Sequence, residues 1–110
     1  MNPATDDLFR ALGDPTRRAL YEHICAQGET TVGSLTDVSG VSQPVVSRHL
    51  GVLKAAKLVR PRPDGRRTFY RADPEGLRDL GGWVARMSSF WSDKLDDLEH
   101  WLEADTHEQE

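Results

Sequence analysis

Cysteine is almost absent from this chain of 110 residues, where Cys25 stands alone. A single thiol excludes an internal disulfide and any cysteine-rich zinc cluster. Long apolar runs are missing as well, and none approaches the ~18 consecutive residues of a membrane-spanning helix. The beginning, MNPATDDLFRAL, is acidic and lacks the basic start and apolar stretch of a secretory signal, so a cytoplasmic protein without a membrane partner is expected. No nucleophile–base pair, phosphate-cradling glycine loop or pair of catalytic acids is visible. No catalytic residue is therefore assigned and no enzyme is expected. There is no internal repeat, and the length suits a single domain spanning 1–110.

Net positive charge is also lacking, since the total is −4, which argues against a general polyanion binder. The total hides an uneven distribution. Residues 48–72 carry eight basic side chains against Asp64 alone, a net of +7, whereas 1–47 amount to −3 and 73–110 to −8. Such asymmetry suggests one surface made for an anion and the remainder made to stay off it.

Turn and cap residues divide the chain. Leu8, Phe9 and Leu12 suggest a short helix ending at Gly13. Asp14-Pro15 restarts a second helix, with Asp as cap and Pro in the first turn. Ala19, Leu20, Ile24 and Cys25 are expected on its inner face, where Cys25 serves packing, and Gly28 can end it. Thr30 or Thr31 can cap a third helix with Val32, Leu35 and Val38 facing inward, and Gly40 suits a tight turn to a fourth. Ser42 is expected to cap that fourth helix, about 42–56, with Val46, Leu50 and Leu53 inside; Gly51 in its middle costs roughly 1 kcal/mol relative to Ala. Leu58 and Val59 begin a hairpin, about 58–72. Its first strand is held to an edge by Pro61 and Pro63, and Asp64-Gly65 is the expected turn. Asp73-Pro74 opens the longest helix, about 74–102, in which Gly81-Gly82 allows a bend; the acidic tail 103–110 is expected to fray.

The fourth helix and the hairpin carry the functional pattern. Gln43, Pro44, Val45, Ser47 and Arg48 fall at the outward head of the helix, where a major-groove reader meets base edges. Arg48 can pair bidentately with guanine and Gln43 with adenine. Ser42 and Ser47 suit phosphate contacts. His49 either reaches DNA or supports the helix pair from within. Arg62, Arg66 and Arg67 are expected to touch DNA from the hairpin, with Arg71 a solvated strand residue.

Together these pieces resemble the ArsR/SmtB family of winged helix-turn-helix regulators over residues 7–103. The carriers are FRALGDPTRR at 9–18, TVGSL at 31–35, VSQPVVSRHL at 41–50 with Val52 and Leu53, and GRRTFYR at 65–71. The resemblance implies a mainly α fold with a small β-hairpin, four helices before the hairpin and one long helix after it. It implies a homodimer through the first and last helices, which would place Leu8, Phe9, Leu80, Val84, Met87, Trp91, Leu95 and Leu98 at the interface. It also implies a repressor that binds a palindromic operator in double-stranded DNA. The apolar stripe of the last helix, extended by Phe90, Trp101 and Leu102, agrees with pairing to a second copy. Metal-sensing relatives often hold a Cys-x-Cys pair on the third helix, but Thr31, Val32 and Gly33 occupy those positions here. Asp93, Asp97 and His100, with His107, lack the spaced Asp and His pattern of other metal sites. No metal or other cofactor is therefore expected, and the effector is unknown. The rival reading is a protein-interaction module on the same scaffold that no longer reads DNA.

Overall fold

The computed structural model describes residues Pro3–Gln109, with side chains through Ala104. The chain divides into two compact units, Met1–Leu80 and Gly81–Glu110. In order, the elements are α1 (Pro3–Leu12), α2 (Pro15–Gln27), β1 (Glu29–Thr31), α3 (Val32–Ser39), α4 (Gln43–Ala55), β2 (Val59–Asp64), β3 (Arg67–Ala72) and α5 (Pro74–Gln109). This is a winged helix-turn-helix, with one strand more than the sequence predicts. β1 joins the hairpin to make a three-stranded antiparallel sheet in the order β1-β3-β2. Three residues are too few to show strand alternation, and β1 exists because Thr30 is buried and paired with Tyr70.

Local chemistry sets the element ends. Asp14 Oδ1 accepts the Arg17 N–H at 3.0 Å, ahead of Pro15. Thr31 Oγ1 accepts the Ser34 N–H at 3.1 Å and starts α3. Gly40, at φ 73°, supplies the left-handed turn into α4. Ser42 occupies the cap position of α4, but its hydroxyl makes no capping bond, contrary to expectation. Asp73 Oδ1 accepts the Glu75 N–H at 3.0 Å and opens α5. Pro61 and Pro63 lie on β2, which is an edge strand, as their missing N–H groups require. Asp64 pairs with Arg67, so the two loop residues are Gly65 and Arg66 and not Asp64-Gly65. Gly65, at φ 63°, takes the first loop position, where a type II′ turn wants glycine.

The core of the first unit collects Leu8 and Ala11 from α1, Leu20, Tyr21 and Ile24 from α2, Leu35 from α3, Val46, Leu50 and Leu53 from α4, and Leu58 and Val59. Each such leucine contributes about 1.5–3 kcal/mol through burial. Several side chains depart from the expected faces. The inner face of α2 is the arc of Leu20, Ile24 and Tyr21, and Ala19 and Cys25 flank it on either side and are exposed. Val38 is 60% exposed, since α3 ends one residue later and buries only Leu35. Gly51 meets nothing where a Cβ would stand, so no close approach requires it. Gly76 is the glycine that packing does require, as a Cβ there would collide with the Lys57 carbonyl.

In the second unit the helix continues through Gly81-Gly82 without interruption and runs past Leu102 to Gln109, so the backbone of the expected frayed tail is helical as far as it is described. Val84, Phe90, Trp91, Leu95, Leu98, Trp101 and Leu102 are exposed along it. Among the described residues no helix is long and apolar enough to cross a membrane.

Candidate nucleic-acid interface

The buried face of α4 determines what its other face presents. Val46, Leu50 and Leu53 are at most 1% exposed and seat the helix on the core. Gln43, Pro44, Ser47 and Arg48 then lie in solvent with Ser42, while Val45 is half-buried. With no acid in the first turn of α4, its head offers amide, hydroxyl and guanidinium groups together with unpaired backbone N–H groups.

His49 is half-buried, with its Nδ1 3.4 Å from Arg17 Nη1. Arg17 donates from Nε to the Ala11 carbonyl at 2.6 Å and from Nη2 to the Arg10 carbonyl at 3.1 Å. Arg18 donates to the Leu12 carbonyl at 2.8 Å. The two arginines thus satisfy the carbonyls that α1 leaves open at its C-terminus, and Arg17 links that end to the reading helix. Sequence reasoning gave Arg17 and Arg18 no role. The signal was the Asp14-Pro15 restart, which folds the first turn of α2 back onto the last turn of α1.

The hairpin brings Arg66 and Arg67 beside α4. They line a cleft of about 510 Å³ with Thr68, with Thr31, Val32, Gly33 and Ser34 at the start of α3, and with Gln43. The cleft is open, polar and cationic, and it joins the wing to the head of the reading helix. Arg48 and Lys54, like Arg66 and Arg67, have no ion-pair partner among the described residues.

Arg62, also expected at DNA, is paired with an acid. Its Nε donates to Glu29 Oε1 at 2.6 Å and its Nη2 to Glu29 Oε2 at 3.1 Å, while its guanidinium lies 4.7 Å from the centre of the Phe69 ring. Its charge is already matched, and Glu29 is held below the ordinary carboxylate range chiefly by that hydrogen bond. Arg60 and Lys57 are likewise paired, with Asp73 at 3.3 Å and Glu75 at 3.5 Å. The seven-charge excess of this block is therefore narrower in space than in sequence. Among the described residues its members without an acid partner are Arg48 and Lys54 on α4, Arg66 and Arg67 at the tip of the wing, and Arg71 on β3.

The residues expected at a dimer interface fall into two sets. Leu8 is 1% exposed and belongs to the core of the first unit, which corrects its assignment to an interface: α1 turns Leu8 inward and leaves Phe9, 39% exposed, on its outer side. Leu80 packs partly against the same core. Val84, Trp91, Leu95 and Leu98 are 47–60% exposed and Met87 is half-buried. Phe90 and Trp91 meet edge to face at 5.5 Å, with the Lys94 ammonium 5.5 Å from the Phe90 ring. Thr31 and Gly33 line the cationic cleft. Among the described residues no three His, Cys, Asp or Glu side chains gather as a metal site would need; the His107 side chain lies outside them.

Comparison with known proteins gives this geometry its context. A helix-turn-helix domain family matches residues 12–62. The HTH-type transcriptional regulator Rv2034 of Mycobacterium tuberculosis is 44% identical over 82% of this chain and 80% of its own length. The arsenic resistance transcriptional regulator ArsR1 of Pseudomonas putida is 34% identical over 89% of this chain and 71% of its own. Among solved structures, the homodimeric winged helix-turn-helix DNA-binding domain of a possible ArsR-family regulator from Mycobacterium bovis superposes with a TM-score of 0.63 at 27% identity, covering 78% of this chain and 79% of that one. With the recognition-helix pattern, the wing and these likenesses in agreement, the chain belongs to the ArsR/SmtB family of winged helix-turn-helix, DNA-binding transcriptional regulators.

Proposed function

We propose that the chain is a homodimeric repressor that reads a palindromic operator with α4 and steadies itself with the wing. One observation carries this reading: Gln43 at the exposed head of α4 shares a cationic cleft with Arg66 and Arg67 of the hairpin. In this arrangement Arg48 and Gln43 read base edges, Ser42 and Ser47 take phosphates with Pro44 and Val45 against the groove wall, and Arg66 and Arg67 neutralise phosphates beside it. His49 acts through Arg17 as a support for the helix. Pairing of the exposed α5 stripe, to which Val84, Met87, Trp91, Leu95 and Leu98 contribute, supplies the second reading head. Two heads one helical turn apart, roughly 34–36 Å, cover DNA that a polymerase would need to enter.

Release from DNA is metal-independent in this reading, because soft-metal sensing needs thiolates held close together and Cys25 is a lone one. The test is selection of bound duplexes from a randomised library by the full chain, paired with elemental analysis of the purified protein. Enrichment of inverted half-sites about one turn apart, with no stoichiometric metal, is expected. Enrichment of single half-sites or of nothing would overturn the operator reading. A tightly held metal whose removal changes affinity tenfold would overturn the other part.

A further inference from the structure

We propose that Glu29 and Arg62 form a strut that sets the wing against the helix-turn-helix, so that Arg62 is a positioning residue and not a DNA contact. The proposal rests on the DNA-reading function above. Arg62 sits on the edge strand β2 between Pro61 and Pro63, whose nitrogens face away from β3. The two-residue loop makes Asp64–Arg67, Arg62–Phe69 and Arg60–Arg71 the hydrogen-bonded pairs, so the ladder passes through Arg62 and the prolines cost it nothing. The side chain adds a link that the ladder does not provide. Arg62 pairs in register with Phe69 on the central strand β3, stacks over its ring at 4.7 Å, and continues to Glu29 on β1. There it forms two hydrogen bonds, of 2.6 and 3.1 Å, the forked geometry that fixes orientation as well as distance. Asp64, at 3.8 Å from Nη1, adds a further acid to the same guanidinium.

One side chain thus straps all three strands. β1 leads without a break into α3, the first helix of the helix-turn-helix, so the strap ties the wing to the element that precedes the reading helix. The pair is partly exposed, at 46% and 34%, and adds little to global stability. Its effect lies in the angle at which Arg66 and Arg67 meet DNA. A strut and a simple electrostatic role differ in sign. Removing the Glu29 charge from the DNA side of a protein should tighten binding to any duplex if charge alone matters. If Glu29 holds the wing in place, the same change should cost discrimination.

The full-length protein, its Glu29→Gln variant and its Arg62→Gln variant are titrated with the duplex that the wild type selects from a random library and with unselected duplex, over a range of salt. In both variants the ratio of selected to unselected affinity should fall roughly three- to tenfold, the scale of a residue acting at one remove. The salt slope of Arg62→Gln should stay within about half a unit of wild type, because no phosphate contact is lost. An unchanged ratio in Glu29→Gln, or a slope lowered by about one in Arg62→Gln, overturns the strut. In the DNA-free wild type the Arg62 Nε–H resonance should be protected from exchange with water, and that protection should vanish in Glu29→Gln. An Nε–H in fast exchange in the wild type overturns the strut whatever the titrations give. Should no duplex be selected while the Nε–H is protected, it is the operator reading that fails.

Discussion

Arg48 and Gln43 carry the sharpest consequence at the scale of single residues. Both are exposed on α4, Arg48 across the helix from the buried Val46 and Leu50 and Gln43 in the first turn, ahead of the core. Replacing either with Ala should cost roughly 1–3 kcal/mol on the selected duplex and flatten preference at particular base pairs. A randomised-site selection in which both variants keep the wild-type preference would rule out base reading by these two. Gly76 offers a test unrelated to DNA. A Cβ there meets the Lys57 carbonyl, which is backbone and cannot swing away. Lys57 is itself held at φ 61° in the turn that feeds β2. Gly76→Ala should therefore destabilise the folded chain by about 1–3 kcal/mol, read as a lower urea midpoint. Ala at an open helical glycine such as Gly51 should instead stabilise by up to about 1 kcal/mol.

At the scale of elements, the wing and the helix starts make separate predictions. Arg66→Ala and Arg67→Ala should each lower the salt slope of DNA binding by about one unit with little change in base preference. Unchanged slopes in the double variant would mean that the wing points away from DNA. The helix starts respond to pH. Asp14 and Asp73 ionise below the ordinary 3.8, each chiefly because a backbone N–H donates to it, from Arg17 and Glu75 respectively; Glu29 ionises below 4.5 because of Arg62. A carboxyl whose folded-state value is depressed contributes fully above its unfolded value, and the contribution is lost as pH falls through the folded one. Urea midpoints should thus hold steady from neutral pH down to the ordinary carboxylate values and decline below them. Asp73→Asn should reduce the size of that decline, and an equal decline with and without Asp73 would exclude it as a contributor.

For the whole molecule, the question is what covers α5. Trp91 is 60% exposed and Leu98 50%, and both lie outside the core of the first unit. Changing both to Asp should leave that core intact, shift the sedimenting species from dimer to monomer, and reduce binding to the palindromic duplex with it. A folded monomer that binds the full palindrome as tightly as the wild type would refute dimerisation through this stripe.

Periodicity and punctuation were enough to place most elements in advance. Asp14-Pro15, Gly28, Gly40 and Asp73-Pro74 act within a few residues of themselves, so the helix boundaries they imply appear in the fold. The same locality exposes Arg48, which helical spacing turns away from Val46, Leu50 and Leu53, whereas Gln43 continues their stripe and is exposed because it stands in the first turn, ahead of the core. Contacts between residues distant in sequence could not be read in this way. Strand β1 depends on β3 some 40 residues on, and Leu8 is core only because α2 and α4 close over it. Arg62 was one basic residue among eight until the sheet brought Glu29 within 2.6 Å of it, and Arg17 was one of a pair until α1 ended beside it. Sequence by itself determined that a basic, polar-headed helix and a basic hairpin exist and which side chains they offer. Only the tertiary structure decided which of those charges are already matched by an acid and which remain open, because pairing depends on distance in space.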